Sequence, residues 1–226
     1  MAVILNAGNR GADAALYNRY MRRLLAGCTI WVFSFLASAA FGRDFSRPVP
    51  QACNSYPSHD DHTTERVCIA ADAYDTPDKA RVFSIDFRER GFLPVFFVVT
   101  NNGDRAVSFP DLNVQLITRD HSKLSPVTPD DLYRRMANPQ ARTNPLPIPI
   151  PRKKVKGTIS DKERHEVESS QFGAHAVEPH STQSGFLFFD VAGIPEPLAG
   201  ANLDVTRVFD AEGKELLYFE LSMDKR

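Results

Sequence analysis

One stretch of the chain is apolar or β-branched at every position: Leu93-Pro94-Val95-Phe96-Phe97-Val98-Val99-Thr100, closed by Asn101-Asn102-Gly103-Asp104. A continuous run of that length ending in a turn signal predicts a strand buried on both faces. Pro94 is tolerated because its missing N–H falls near the strand start. Before it, Val82-Phe83-Ser84-Ile85-Asp86-Phe87 alternates strictly and predicts a half-buried strand with Phe83, Ile85 and Phe87 inward. Val67 to Ala71 reads as the first strand of the fold, and Ala106 to Phe109 with Asn113 to Thr118 as a further strand pair. The C-terminal third is again β in pattern, at Ala174 to Val177, Gln183 to Asp190, Asn202 to Phe209 and Lys214 to Leu221. Asp210-Ala211-Glu212-Gly213 makes the last two a hairpin.

Two helices interrupt this series. Thr128-Pro129-Asp130-Asp131 carries an N-cap threonine, proline at the first helical position and acids in the first turn, so a short helix runs to about Met136. Ser160-Asp161-Lys162-Glu163 is a capping box, which predicts a second helix from Asp161 to about Phe172. Between them Asn144 to Pro151 alternates proline with apolar residues and forces extended backbone, a stiff strap, followed by the basic residues Arg152, Lys153, Lys154 and Lys156. Residues 43 to 64 show no apolar period and read as an extended polar lead-in.

The fold class that follows is all-β: an antiparallel sandwich of about seven to nine strands over residues 65 to 226, with one helical and proline-rich insertion at about 128 to 173. A chain of 226 residues with 16 Phe, 16 Pro and 24% charged residues suits aromatic core strands broken by proline turns. The formal net charge is -1, and residues 1 to 42 carry four arginines against one aspartate, so the remainder is mildly acidic. That balance argues against nucleic acid as a partner.

The N-terminal 42 residues carry the clearest address. Arg19, Arg22 and Arg23 precede an apolar run from Leu24 to Phe41 that ends in Ala37-Ser38-Ala39-Ala40, the pattern of a signal peptide with an A-x-A cleavage site. Its length is ordinary if translation begins at Met21. About eighteen apolar residues can also just span a bilayer, so membrane attachment through residues 24 to 41 stands beside cleavage. Leu25-Ala26-Gly27-Cys28 is a poor lipoprotein box because the apolar run follows the cysteine. The expected location is the periplasm or cell envelope. In such an oxidising compartment Cys53 and Cys68 are expected to form a disulfide.

Candidate chemistry is sparse. His59, Asp61 and His62 could ligate a metal if their loop folded around it, the alternative being a solvated polar loop. His165-Glu166 lacks the second histidine of a metalloprotease helix. A hydrolase site assembled from His121, His175, His180, Ser181 and Asp190 is a further alternative, since triads are recognised by geometry. The chain carries no G-x-S-x-G elbow, P-loop or dinucleotide fingerprint, and no cofactor is expected. The leading expectation is a non-catalytic binding module contacting an envelope protein or surface ligand.

Five segments together resemble a family of uncharacterised exported bacterial proteins: Tyr74 to Ala80, Phe83 to Phe87, Leu93-Pro94-Val95 with Thr100 to Asp104, Asp130 to Arg135, and Gly185 to Asp190. The resemblance spans roughly Thr64 to Leu221. It implies an immunoglobulin-like sandwich behind a signal peptide, and it brings no activity, cofactor or catalytic residue to carry over.

Overall fold

The long apolar run forms the strand Phe92–Asn101, and it is buried on both faces because three layers meet there. The computed structural model describes residues 45–137, 159–216 and 218–224. The expected signal or anchor segment, the expected proline strap and the basic residues after it lie outside these. The described part is mostly β, with antiparallel sheets and few helices. Its strands are β1 (Ser58–His62), β2 (Val67–Ala73), β3 (Phe92–Asn101), β4 (Val107–Ser108), β5 (Asn113–Ile117), β6 (Lys123–Leu124), β7 (Ala176–Val177), β8 (Ser181–Asp190), β9 (Asn202–Thr206) and β10 (Phe219–Ser222). The helices are α1 (Pro77–Ala80), α2 (Pro129–Ala137) and α3 (Asp161–Ser170). One sheet has the order β1-β2-β3-β8, a second β10-β9-β5-β6, and β4 pairs with β7.

Side chains alternate across a strand, so β3 serves two cores. Leu93, Val95, Phe97 and Val99 join Val67, Ile69 and Phe189 against Val114, Leu116, Leu203, Val205, Phe219 and Leu221 of the second sheet. That is sandwich packing. Phe92, Phe96 and Val98 point the other way, with Ala70, Phe186 and Phe188, into a second core roofed by Phe83, Ile85, Phe87, Leu132, Met136 and Val167. Aromatic edges meet throughout this roof: Phe83 lies 4.7 Å from Phe186, and Tyr74 meets Phe186 at 4.9 Å with the rings perpendicular.

The segment Val82 to Phe87 corrects a sequence expectation. Phe83, Ile85 and Phe87 are buried and Ser84 and Asp86 exposed, as the alternation requires, yet the segment is a series of turns and no strand. It has no neighbouring strand to pair with, and a side chain of α3 takes its backbone donors instead. The Glu166 carboxylate accepts from Ser84 N at 2.8 Å and Ile85 N at 3.3 Å, and from the Ser84 hydroxyl. Alternation therefore reports which side chains are buried and says nothing about pairing.

Both helix starts form as expected. Ser160 Oγ accepts from Glu163 N at 3.2 Å while Ser160 N donates to Glu163 Oε2 at 2.9 Å, the reciprocal bonds of a capping box. Helix α3 ends at Ser170 because Gln171 and Phe172 peel off to the edge of β8, where Phe172 N donates to Phe186 O at 3.0 Å. At that crossing Gly185 is indispensable, since a Cβ there would sit 2.5 Å from Phe172 Cα. Phe172 then stands perpendicular to Phe97 at 5.0 Å in the inter-sheet core.

Four further expectations change. The first strand is β1, so residues 58 to 62 of the supposed lead-in belong to the sheet. The expected pair Ala106 to Phe109 and Asn113 to Thr118 does not pair internally, because β4 bonds β7 while β5 lies between β9 and β6. The last two strands do pair, but β10 begins only at Phe219, and the Asp210 to Gly213 turn closes a small bridge between Phe209 and Glu215. Ten strands are present among the described residues, three of them two residues long, which exceeds the expected seven to nine.

Cys53 and Cys68 are disulfide-bonded with Cα atoms 6.1 Å apart, fastening the turn before β1 to β2. Closing such a loop contributes roughly 3 kcal/mol.

The aromatic roof also makes stability pH-dependent. Burial, with Asp72 and Tyr56 nearby, pushes the Tyr74 phenol from 10.0 up to about 12. Tyr133 is likewise raised to about 12, first by burial and then by Glu168. A folded pKa above the unfolded one means that the contribution is complete below about pH 10 and is lost as pH rises through about 12. Urea unfolding midpoints should therefore fall steeply between these values. Tyr74→Phe should flatten that dependence, and an unchanged profile would contradict this origin.

Candidate functional site

The histidines, Ser181 and the aspartates singled out in the sequence are not gathered into one site among the described residues. On β1, Ser58, Asp60 and His62 face β10: Ser58 Oγ donates to Ser222 O at 2.7 Å, Asp60 Oδ2 accepts from Glu220 N at 3.0 Å, and the His62 ring stacks 3.9 Å from Phe219. These bonds occupy backbone groups of the β10 edge and stitch the two sheets together, the kind of cover an edge strand requires. His59 and Asp61 stand on the opposite face by the strand period, and His59 Nδ1 lies 2.6 Å from Tyr56 O. The segment is thus a strand in place of the expected loop, and its period divides His59, Asp61 and His62 between two faces. Among the described residues no group of three or more His, Cys, Asp or Glu is placed to hold a metal ion.

The scattered histidines have separate surroundings. His180 Nε2 lies 3.0 Å from Asp104 Oδ1, and the other oxygen of that carboxylate accepts from Arg66 at 2.8 Å. Ser181 Oγ donates to Glu178 O at 2.8 Å. Asp190 stands at the far end of β8 from Ser181, about 30 Å along the strand, where it pairs with Arg135 of α2. The Arg135 guanidinium also lies 5.1 Å above the Phe92 ring. His175 is exposed, and His121 sits in the turn between β5 and β6. Asp190 is a tether for a helix.

What the fold does build is a cleft of 450 Å3 between two loops. One wall is the turn Thr118 to Ser122. Thr118 N donates to Ser122 O at 3.0 Å and His121 N to Thr118 O at 2.9 Å. The Thr118 hydroxyl and the Ser122 hydroxyl, the latter at 3.1 Å, both donate to the Asp120 carboxylate. These two bonds, Thr118 first, hold the Asp120 carboxyl below the usual carboxylate range, so it stays ionised. The other wall is the loop from β8 to β9, pinned by Ala199 N to Glu196 O at 3.0 Å and Ala201 N to Leu198 O at 3.2 Å. Leu198 and Ala201 are buried in the inter-sheet core and anchor this wall.

Three residues around the cleft adopt left-handed backbone: His121 (φ 63), Glu196 (φ 50) and Gly200 (φ 61). For the two non-glycine residues this costs on the order of 1 kcal/mol each. Arg119 passes beside Gly200, its Cγ 3.6 Å from where a Cβ would stand. Arg119 and Glu196 both line the cleft, yet among the described residues neither side chain forms an ion pair or hydrogen bond. Ile194, Pro195 and Ala199 supply apolar surface between them. Opposite charges over an apolar floor suit recognition, and the lining contains neither cysteine nor histidine.

Sequence reading missed this cleft because its walls lie far apart in the chain and carry no motif. The only local signals are the Gly193-Ile194-Pro195-Glu196-Pro197 turn composition and the charged pair Arg119-Asp120 at the end of a strand. Among the described residues no helix is long and apolar enough to cross a membrane. Comparison with known proteins finds no matching family, no matching curated protein and no matching solved structure.

Proposed function

We propose that the chain is an exported, non-catalytic binding module of the cell envelope, in which an immunoglobulin-like sandwich is the scaffold and the loop-end cleft is the contact site. The observation that carries this reading is the cleft itself: two hydrogen-bonded loops that bring Arg119, Asp120 and Glu196 together beside Ile194, Pro195 and Ala199. A concave surface that carries both signs of charge beside apolar residues is what a recognition site offers a ligand. Export is supported by the signal pattern of residues 19 to 41 and by the buried disulfide, which needs an oxidising compartment.

Fractionation of the native host, with the N-terminal mass of the purified chain, tests the export half. The chain should be recovered outside the cytoplasm, either cleaved near Ala40 or intact and membrane-attached through residues 24 to 41, with Cys53 and Cys68 oxidised. Full-length cytoplasmic protein with both thiols free would overturn it.

A further inference from the structure

The charges in the cleft define a ligand more narrowly than its shape does. A guanidinium offers a planar fork of donors that matches a carboxylate, and a carboxylate is a natural acceptor for an ammonium. Arg119, on the turn Thr118 to Ser122, and Glu196, on the loop from β8 to β9, line one cleft and do not pair with each other. The Arg119 stem runs alongside Gly200 at van der Waals distance. On the first wall Asp120 adds a second carboxylate, fixed by the Thr118 and Ser122 hydroxyls. A simple anion would meet Arg119 but also two carboxylates, and a simple cation would leave Arg119 unanswered. A group carrying both charges answers both walls at once. A volume of 450 Å3 falls within the range of small-ligand sites.

We infer that the cleft binds a zwitterion bearing an ammonium and a carboxylate on one short apolar scaffold, a free α-amino acid or a short peptide with both termini unblocked. The carboxylate meets Arg119, the ammonium meets Glu196 and Asp120, and an aliphatic side chain lies on Ile194, Pro195 and Ala199. This identification rests on the binding-module reading and names its ligand chemistry.

The test titrates the full oxidised chain, followed by amide NMR shifts, with three probes: free L-leucine, the dipeptide leucyl-leucine, and N-acetyl-leucine amide, which lacks both charges. One of the two zwitterions should shift amides of residues 118–122 and 194–200 saturably. The preferred one tells whether the charges span one residue or two. The blocked probe should bind at least about tenfold more weakly, and Arg119→Gln and Glu196→Gln should each weaken the zwitterion by about tenfold while leaving the remaining spectrum folded. No saturable shift at these loops with either zwitterion, or equal binding of the blocked probe, would overturn the inference. In that event a partner cross-linked in cells through the cleft would leave the binding-module reading standing, and its absence would remove both.

Discussion

Replacing Glu166 by alanine should cost about 3 kcal/mol of stability, the sum expected for stranding buried donors and losing a charged acceptor. Glu166 is 3% exposed, and its two oxygens take the Ser84 and Ile85 amides and the Ser84 hydroxyl. Those contacts are what a neighbouring strand would have supplied to a segment that has none. The Ser84 hydroxyl can turn to water, but the Ile85 amide, in a buried residue, cannot. Glu166→Gln presents one oxygen and an NH2 to a site built of donors, so it should recover less than half of the loss. The variant should also expose the aromatic roof locally: hydrogen exchange at Ser84 and Ile85 should accelerate before exchange in β3 does. Equal urea midpoints for wild type and Glu166→Ala would show that the roof is held by Phe83, Ile85 and Phe87 alone.

Gly185→Ala should be comparably damaging, at about 3 kcal/mol, for a steric reason. The added carbon would lie 2.5 Å from Phe172 Cα, 2.6 Å from Phe172 N and 2.7 Å from Gln171 O. All three are backbone atoms, so no rotamer change relieves the clash. The crossing chain must lift away from β8, breaking the bond from Phe172 N to Phe186 O and withdrawing the Phe172 ring from Phe97 and from Phe109, 5.9 Å away. Thermal unfolding of Gly185→Ala measures this directly. A variant within about 0.5 kcal/mol of wild type would mean that residues 171 and 172 do not cross β8 as described.

These two residues show where sequence reading stopped. The double burial of β3 was legible because every position from Leu93 to Val99 is apolar, and the capping box at Ser160 was legible because its bonds are local. The alternation at Val82 to Phe87 correctly identified the buried side chains, but the partner of its backbone is a glutamate 82 positions from Ser84, a relation that no local pattern encodes. The polar residues Ser58 to His62 looked like loop because an edge strand whose inward side chains bond the next sheet has no apolar face. The same limit hid the cleft. Arg119 and Glu196 are ordinary charged residues in turns, and only the tertiary fold brings them to one cleft.

Photo-cross-linking in living cells of the native host tests the central claim most directly. A photoreactive residue at Pro195 samples the cleft, and one at Asn113 samples the exposed outer face of the second sheet on the same molecule. Photolysis should add mass to this chain at position 195, by the bound ligand or partner, an increment lost when Arg119→Gln is introduced and not seen from position 113. Adducts of equal yield from both positions, or from 113 alone, would contradict that claim.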